Sequence, residues 1–187
     1  MAIPKKVESF FKSHNVAPEI VTHKTVYTVY DLAQTLREKF DSIAKTLLVK
    51  ADRQFLLVVM PANYRLDIQK LKKAIKAKKI TLASERDMKT TFHAIPGAMM
   101  PFGALHKLEV VADASLLKAK HALFSAGSFT ESVRMKMKDY LRIAEPRIEH
   151  IAKKVPMKLT VVRAKPTKKK RRAQPKKRKT VRRGKRR

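Results

Sequence analysis

The chain has 187 residues, 44% of them hydrophobic, and carries a net charge of +30 from 45 Lys and Arg against 15 Asp and Glu. Cysteine is absent, which excludes disulfides, thiolate nucleophiles and thiolate metal sites. No run approaches the roughly 18 apolar residues of a membrane span, and "MAIPKKVESFF" lacks the apolar stretch of a signal peptide, so the expectation is a cytoplasmic protein with no membrane partner.

The charge is unevenly spread. Residues 165–187 hold 15 basic residues and no acid, while the preceding 164 still carry +15. A polyanionic partner is expected for both parts, RNA or DNA first. For the tail alone, a disordered cationic segment that holds any polyanion is an equally good reading, because counterion release needs no sequence recognition.

Along the chain, Val7, Phe10, Phe11 and His14 recur at helical spacing after Pro4, which predicts an amphipathic helix. "PEIVTHKTVYT" reads as extended. Thr28 with Asp31 resembles a capping box, opening a helix that buries Val29, Leu32, Ala33, Leu36 and Phe40. Two apolar strands over 43–50 and 54–60 then turn back at Ala51-Asp52-Arg53. Asp67 caps the next helix, with Ile68, Leu71, Ala74 and Ile75 inside and lysines outside. A short strand and a helix capped by Ser84 follow. "HAIPGAMMPFGAL" breaks all periodicity and reads as a shaped loop. "KLEVVAD", "KHALFSAG" and "ESVRM" read as strands, "KMKDYLRIAE" as a helix ending before Pro146, "RIEHIAKKV" as a helical continuation with Ile148, Ile151, Ala152 and Val155 on one side, and "MKLTVV" as a last strand. The irregular alternation with a tight hairpin predicts a mixed α/β (α+β) domain. The expected boundaries are 1–145 for the domain, 146–164 for a helical and strand extension, and 165–187 for a disordered basic tail.

Lys45 interrupts a face of Ile43, Leu47 and Val49 that otherwise belongs in a core. Taking an ammonium out of water costs several kcal/mol unless something pairs with it. Either it snorkels to the strand end or meets a buried carboxylate, or it lines a pocket that receives an anionic or carbonyl-bearing ligand. Lys50 points the other way, near the turn, and reads as solvated. In "GAMMPFG", Gly97 and Gly103 open backbone angles closed to other residues and Pro101 stiffens the segment; such a loop aims N–H groups at an oxygen, or is a plain connection. The Gly-Ser turn in "SAGSFTES" offers backbone donors and the hydroxyls of Ser128 and Thr130, or is an ordinary β-turn. The six histidines show no HxxxH or HxH spacing, so no metal is expected.

Taken in order, "IAKTLLVKADRQFLLVVMPANYRLD", "GAMMPFG" and "SAGSFTESVRM" resemble the YbaK/ProX group, free-standing relatives of the editing domain inserted in prolyl-tRNA synthetases. The match runs from about 21 to 142. The resemblance implies a curved mixed β-sheet around a pocket flanked by helices. The implied activity is hydrolysis of the aminoacyl ester of mischarged tRNA, without metal or cofactor. It implies tRNA as partner and leaves room for an aminoacyl-tRNA synthetase. Lys45 matches the family's functional lysine, which would hold the substrate through phosphate or carbonyl oxygens. The loop 97–103, with Gly97, Pro101 and Gly103, matches the loop that contacts the ester. Gly127, Ser128 and Thr130 match the pocket wall. Thr25, Tyr27, Lys50, Met100, Phe102 and Phe129 complete the expected substrate-contacting set by neighbourhood. The attacking group would be a water, activated by the substrate's own terminal ribose hydroxyl. Many relatives read Gly-Ser-His where this chain has Gly127-Ser128-Phe129; a phenylalanine cannot shuttle a proton, so any role of that histidine is lost or moved. That substitution also favours a second reading, a catalytically weakened nucleic-acid-binding module on the same scaffold. Deleting 165–187 separates the two. An editor is expected to retain turnover at raised substrate concentration, whereas a tail-driven binder loses nearly all RNA affinity in a filter-binding assay.

Overall fold

A computed structural model describes residues 3–157; the strand expected in "MKLTVV" from residue 158 on, and the basic tail, lie outside the described residues. The organising element is the expected hairpin. Strand β2 (Ala44–Ala51) pairs antiparallel with β3 (Gln54–Pro61), with Lys45 opposite Met60 and Ala51 opposite Gln54. Asp52, at φ 51°, takes the left-handed conformation that two-residue hairpin turns favour.

On the far side of β3 runs β6 (Glu109–Asp113), parallel to it, and then β9 (Arg147–Glu149), parallel to β6. Strand β5 (Ile80–Leu82) pairs antiparallel with β2, giving a five-stranded order of β5-β2-β3-β6-β9. A second, antiparallel sheet places β8 (Glu131–Lys136) between β1 (Glu19–Thr22) and β7 (His121–Ser125). A parallel bridge between Ile43 and Leu123 links the two sheets. A two-stranded ribbon of β4 (Tyr64–Leu66) and β10 (Ala152–Lys154) completes the set. The family-type expectation of a mixed α/β fold is met.

β3 reads as an almost unbroken apolar run because both its faces are covered. Leu57 and Val59 face the main core, with Phe102, Phe124 and Tyr140; Leu56, Val58 and Met60 face a smaller one with Leu71. Phe102 sits at the centre of the main core, edge-on to Phe11 at 5.3 Å and to Tyr140 at 6.1 Å. Gly103 follows it, and a Cβ there would overlap the carbonyl oxygen of Leu108. Its bareness is a packing requirement.

Three of the helices begin where their caps predict. Thr28 and Asp31 form both arms of a capping box at α2 (Val29–Leu36), as do Ser84 and Asp87 at α4 (Glu85–Phe92). The Asp67 carboxylate accepts from the amides of Gln69 and Lys70 at α3 (Ile68–Ala74). Helix α1 (Lys5–Ser13) buries Val7, Phe10 and Phe11, and α5 (Met137–Ala144) buries Met137, Tyr140 and Ile143.

Three expectations are corrected. Phe40 is buried but lies in a separate 3₁₀ turn, because Arg37 closes α2 in the left-handed region at φ 56°. Ile68 is 43% exposed, since as the first residue of α3 it sits clear of the core that takes Leu71. "RIEHIAKK" forms β9 and β10 rather than a helix. Glu145 turns left-handed ahead of Pro146, which ends α5, and the free edges of β6 and β4 then accept the chain. The deciding contact is buried. Asp113, 3% exposed, accepts the amides of Ile151 and Ala152 on Oδ2, both at 2.8 Å, and that of Ser115 on Oδ1. Those amides are thereby taken from any helical ladder. Asp113→Ala is expected to lower the unfolding free energy by about 3 kcal/mol, because buried donors to a charged acceptor lose their partner; urea denaturation checks it.

Candidate active site

The pairing of β2 is incomplete. β5 reaches only Val49, Lys50 and Ala51, so the first half of β2 has a free edge on the side away from β3. Ladder bonds alternate between the two edges of a strand. Ile43 accepts from Ala62 on the β3 side, and Leu48 accepts from Ala83 on the other. By the same alternation, Thr46 turns its N–H and C=O to the free edge. Against that edge stand α2 and the segment after β1, with the 97–103 loop and the turn after β7 closing the other sides. The result is a hollow of about 240 Å³.

Its walls are largely apolar, from Val26, Val29, Leu32, Ile43, Leu47 and Met99, and its polar groups are few: His23, Thr28, Lys45, Thr46, Ser125, Ser128 and Ser132. The volume lies below the roughly 300–1,000 Å³ of sites for drug-sized ligands, so it admits a small group and leaves anything attached to that group at the mouth. Lys45 is half-buried and donates to the carbonyl of Ala62 at 3.2 Å. Burial lowers its pKa, and the nearby Arg65 lowers it further. The ammonium has a hydrogen-bond acceptor and no carboxylate partner among the described ion pairs. An anion or a carbonyl oxygen in the hollow would relieve that imbalance.

Two loops meet here and are stitched together. Ser125 Oγ donates to the carbonyl of Ala98 at 2.9 Å and accepts from the amide of Gly127 at 3.2 Å. Val26 N and His23 N donate to the carbonyls of Phe129 and Thr130, both at 2.9 Å, which pins the turn to the far wall. Gly97, at φ 85°, sits under Phe129 and the carbonyl of Tyr27. The Phe129 ring meets that of Tyr27 edge-on at 4.9 Å, and Tyr27 is 69% exposed. These two rings form the rim.

Of the residues expected at the site, Lys45, Gly97, Tyr27, Ser128 and Phe129 line the hollow. The others stand apart from it. Thr25 is exposed on the approach. Lys50 lies at the opposite end of β2, its ammonium 5.4 Å from the centre of the Phe55 ring. Phe102 and Pro101 are buried, and Gly103 packs beneath Leu108. Met100 and Gly127 face a separate cavity behind the loop, beside Phe92 and His106. Thr130 takes part through its backbone, donating to Ser128 Oγ at 3.3 Å and accepting from His23. The Gly/Pro loop thus divides its labour: its first glycine faces the hollow, and its second half plugs the core.

The missed residues are chiefly His23, Thr46, Ser125 and Ser132. His23 Nδ1 faces the carbonyl of Lys24 at 2.9 Å, so it donates there, and in the neutral ring Nε2 accepts from the Ser132 hydroxyl at 3.0 Å. Ser132 is 2% exposed. The signal for this pair was positional: Ser132 sits on β8 and His23 directly follows β1, and these strands pair only once the turn 127–130 is placed. Among the described residues no group of three or more His, Asp or Glu side chains could hold a metal ion.

A family model described as the aminoacyl-tRNA editing domain matches residues 23–143. The Multifunctional Ser/Thr-tRNA deacylase ProXp-y of Escherichia coli (strain K12) is 30% identical over 134 residues, covering 69% of this chain and 80% of that protein. A Proline--tRNA ligase of Macrococcus caseolyticus (strain JCSC5402) is 30% identical over 91 residues, 49% of this chain and 16% of that protein. The crystal structure of the hypothetical protein APE2540 superposes with a TM-score of 0.74 at 20% identity, covering 79% of this chain and 99% of that one. That likeness is one of fold. The folded chain holds the Lys45 proton less tightly than the unfolded chain does, so stability rises with pH in the window below 10.5. Lys45→Met is expected to flatten that rise while leaving Tm at pH 7 within a few degrees, measured by thermal denaturation across a pH series.

Proposed function

The chain belongs to the aminoacyl-tRNA editing domain family, and from that premise we propose that it hydrolyses the ester joining a wrongly attached small amino acid to the 3′ end of tRNA. The observation that carries this reading is Lys45: a half-buried ammonium, with no carboxylate partner among the described residues, at a hollow sized for an aminoacyl group. The aminoacyl moiety enters, and the terminal adenosine stays at the mouth. There the exposed Tyr27 ring, backed by Phe129, offers a stacking face for the base.

In the reaction a water oxygen bonds to the ester carbon, and the bond from that carbon to the ribose oxygen breaks. One water proton ends on the ribose hydroxyl and the other leaves with the free amino acid. Negative charge develops on the carbonyl oxygen, and it needs donors already in place. The Lys45 ammonium and the edge-facing Thr46 amide are the groups positioned to supply them. The Ser132 hydroxyl, oriented by His23, keeps an oxygen lone pair for the amino acid's ammonium or side chain. Phe129 stands at the rim as packing, so proton transfer falls to the substrate's own ribose hydroxyl. With Ser125, Ser128, Ser132 and Thr46 on the walls, a side chain bearing a hydroxyl finds partners, which favours serine and threonine among small amino acids.

Charged tRNA as substrate puts the site of action in the cytoplasm. Among the described residues no helix is long and apolar enough to cross a membrane. The basic residues 165–187 add phosphate contacts without base preference. The test is a panel of non-cognate tRNAs charged with Ala, Ser, Thr and Cys. Hydrolysis of the Ser or Thr esters above the buffer rate is expected, with Lys45→Ala reducing kcat/KM at least about 100-fold, the scale of losing one oxyanion donor. No hydrolysis above buffer for any member, with Lys45→Ala indistinguishable from wild type, overturns the reading.

A further inference from the structure

Resting on that deacylase reading, we propose that a second groove, around the β2–β3 turn, seats the sugar–phosphate backbone of the tRNA acceptor stem. It is a cavity of about 970 Å³ between the turn, the segment after α3 and the start of β6, four times the volume of the hollow. Six residues of extended β2 separate it from Lys45, roughly 20 Å at about 3.3 Å per residue.

Arg53, Lys76, Lys78 and Lys107 line the groove. Among the described residues none of these four side-chain cations makes a hydrogen bond or an ion pair. Some cations elsewhere are paired, such as Arg134 with Glu19 and Glu38, Arg147 with Glu149, Lys153 with Asp67 and Lys154 with Asp41; what distinguishes the groove is that four cations converge in one concavity. Two carboxylates line the groove, Asp52 and Glu109. Asp52 spends its oxygens on backbone, accepting the amides of Lys78 at 3.1 Å and Lys79 at 2.8 Å, while its own amide donates to the Lys79 carbonyl at 2.8 Å. That clip fastens the lysine-rich segment to the hairpin turn, so the cations are held in place before any ligand arrives. Lys76 and Lys107 sit at φ 56° and 55°, a conformation that a side-chain-bearing residue takes less easily than glycine. Lysine stands where glycine is the easy choice, and charge is what it adds.

A concave, preorganised group of four cations against two carboxylates, far enough from the hollow to leave room for a single-stranded end, fits a nucleic-acid backbone. The experiment compares the full chain with its R53Q/K76Q/K78Q/K107Q variant on two substrates: mischarged tRNA, and an aminoacylated CCA trinucleotide that lacks the stem. On tRNA the variant is expected to lose at least about tenfold in kcat/KM, carried by KM, and the slope of its logarithm against log salt to fall by about three. On the trinucleotide it should match wild type within about twofold. A second variant, Asp52→Asn, removes a negative charge, so charge counting alone has it bind tRNA more tightly; loss of the clip has it bind more weakly, and weaker binding is expected. Unchanged tRNA kinetics hand the groove to an acidic protein surface and overturn the proposal, as do equal losses on both substrates. If wild type deacylates nothing, the functional reading fails by itself. Fluorescence anisotropy with uncharged tRNA then still decides the groove, through a weakened variant or an unaltered one.

Discussion

Everything at the site follows from one strand being paired along only part of one edge. β2 must lie against β3 for its whole length, because the apolar run of β3 is buried on both faces. Its other edge is paired by β5 for three residues and then left open. At that opening the second sheet begins, tied on by a bridge from Ile43 to Leu123. Two sheets that share a strand end but diverge beyond it leave a cleft between them. The cleft inherits backbone groups from the free edge and side chains from both sheets. An unpaired edge is ordinarily a liability; here it is covered by α2 and two loops, and turned to use.

Lys45 shows how such a site is held ready. The alternation of β2 puts it on a face with Leu47 and Val49, where an ammonium is poorly solvated, and Arg65 adds repulsion. One carbonyl, that of Ala62, is its partner. A neighbouring carboxylate would have calmed the charge and left nothing for a ligand. The folded chain thus carries a mild electrostatic cost at Lys45, a pattern common to working sites and in keeping with the proposed deacylase.

The sequence was most informative where chemistry is local. Caps at Thr28, Asp67 and Ser84, the hairpin turn, and the misplaced lysine were all visible because each depends on residues a few positions apart. The strands after Pro146 were not. Ile148, Ile151, Ala152 and Val155 satisfy a helical spacing, and what overrides it is a carboxylate 38 residues earlier in the chain. Phe102 and Gly103 misled for a related reason: a Gly/Pro loop announces a special backbone, but which half faces a ligand depends on packing against Phe11 and Leu108. His23 and Ser132 became a pair only through the antiparallel register of β1 and β8, which no single segment encodes. Resemblance to a family supplied the pocket's existence; the register supplied its membership.

The path of the chain near Asn63 carries a further consequence. Val155 N donates to the carbonyl of Asn63, whose side-chain amide is held by Asp41, and Asn63 is the neighbour of the residue that binds Lys45. Met157 packs with Phe40, Ile43 and Ala62. The last described residues therefore pack against the cluster that includes Ile43, a residue of the hollow's wall. For the proposed deacylase, a polyanion held by the basic residues 165–187 would be tethered to the domain, and its second engagement would proceed at an effective concentration fixed by the tether rather than by the bulk.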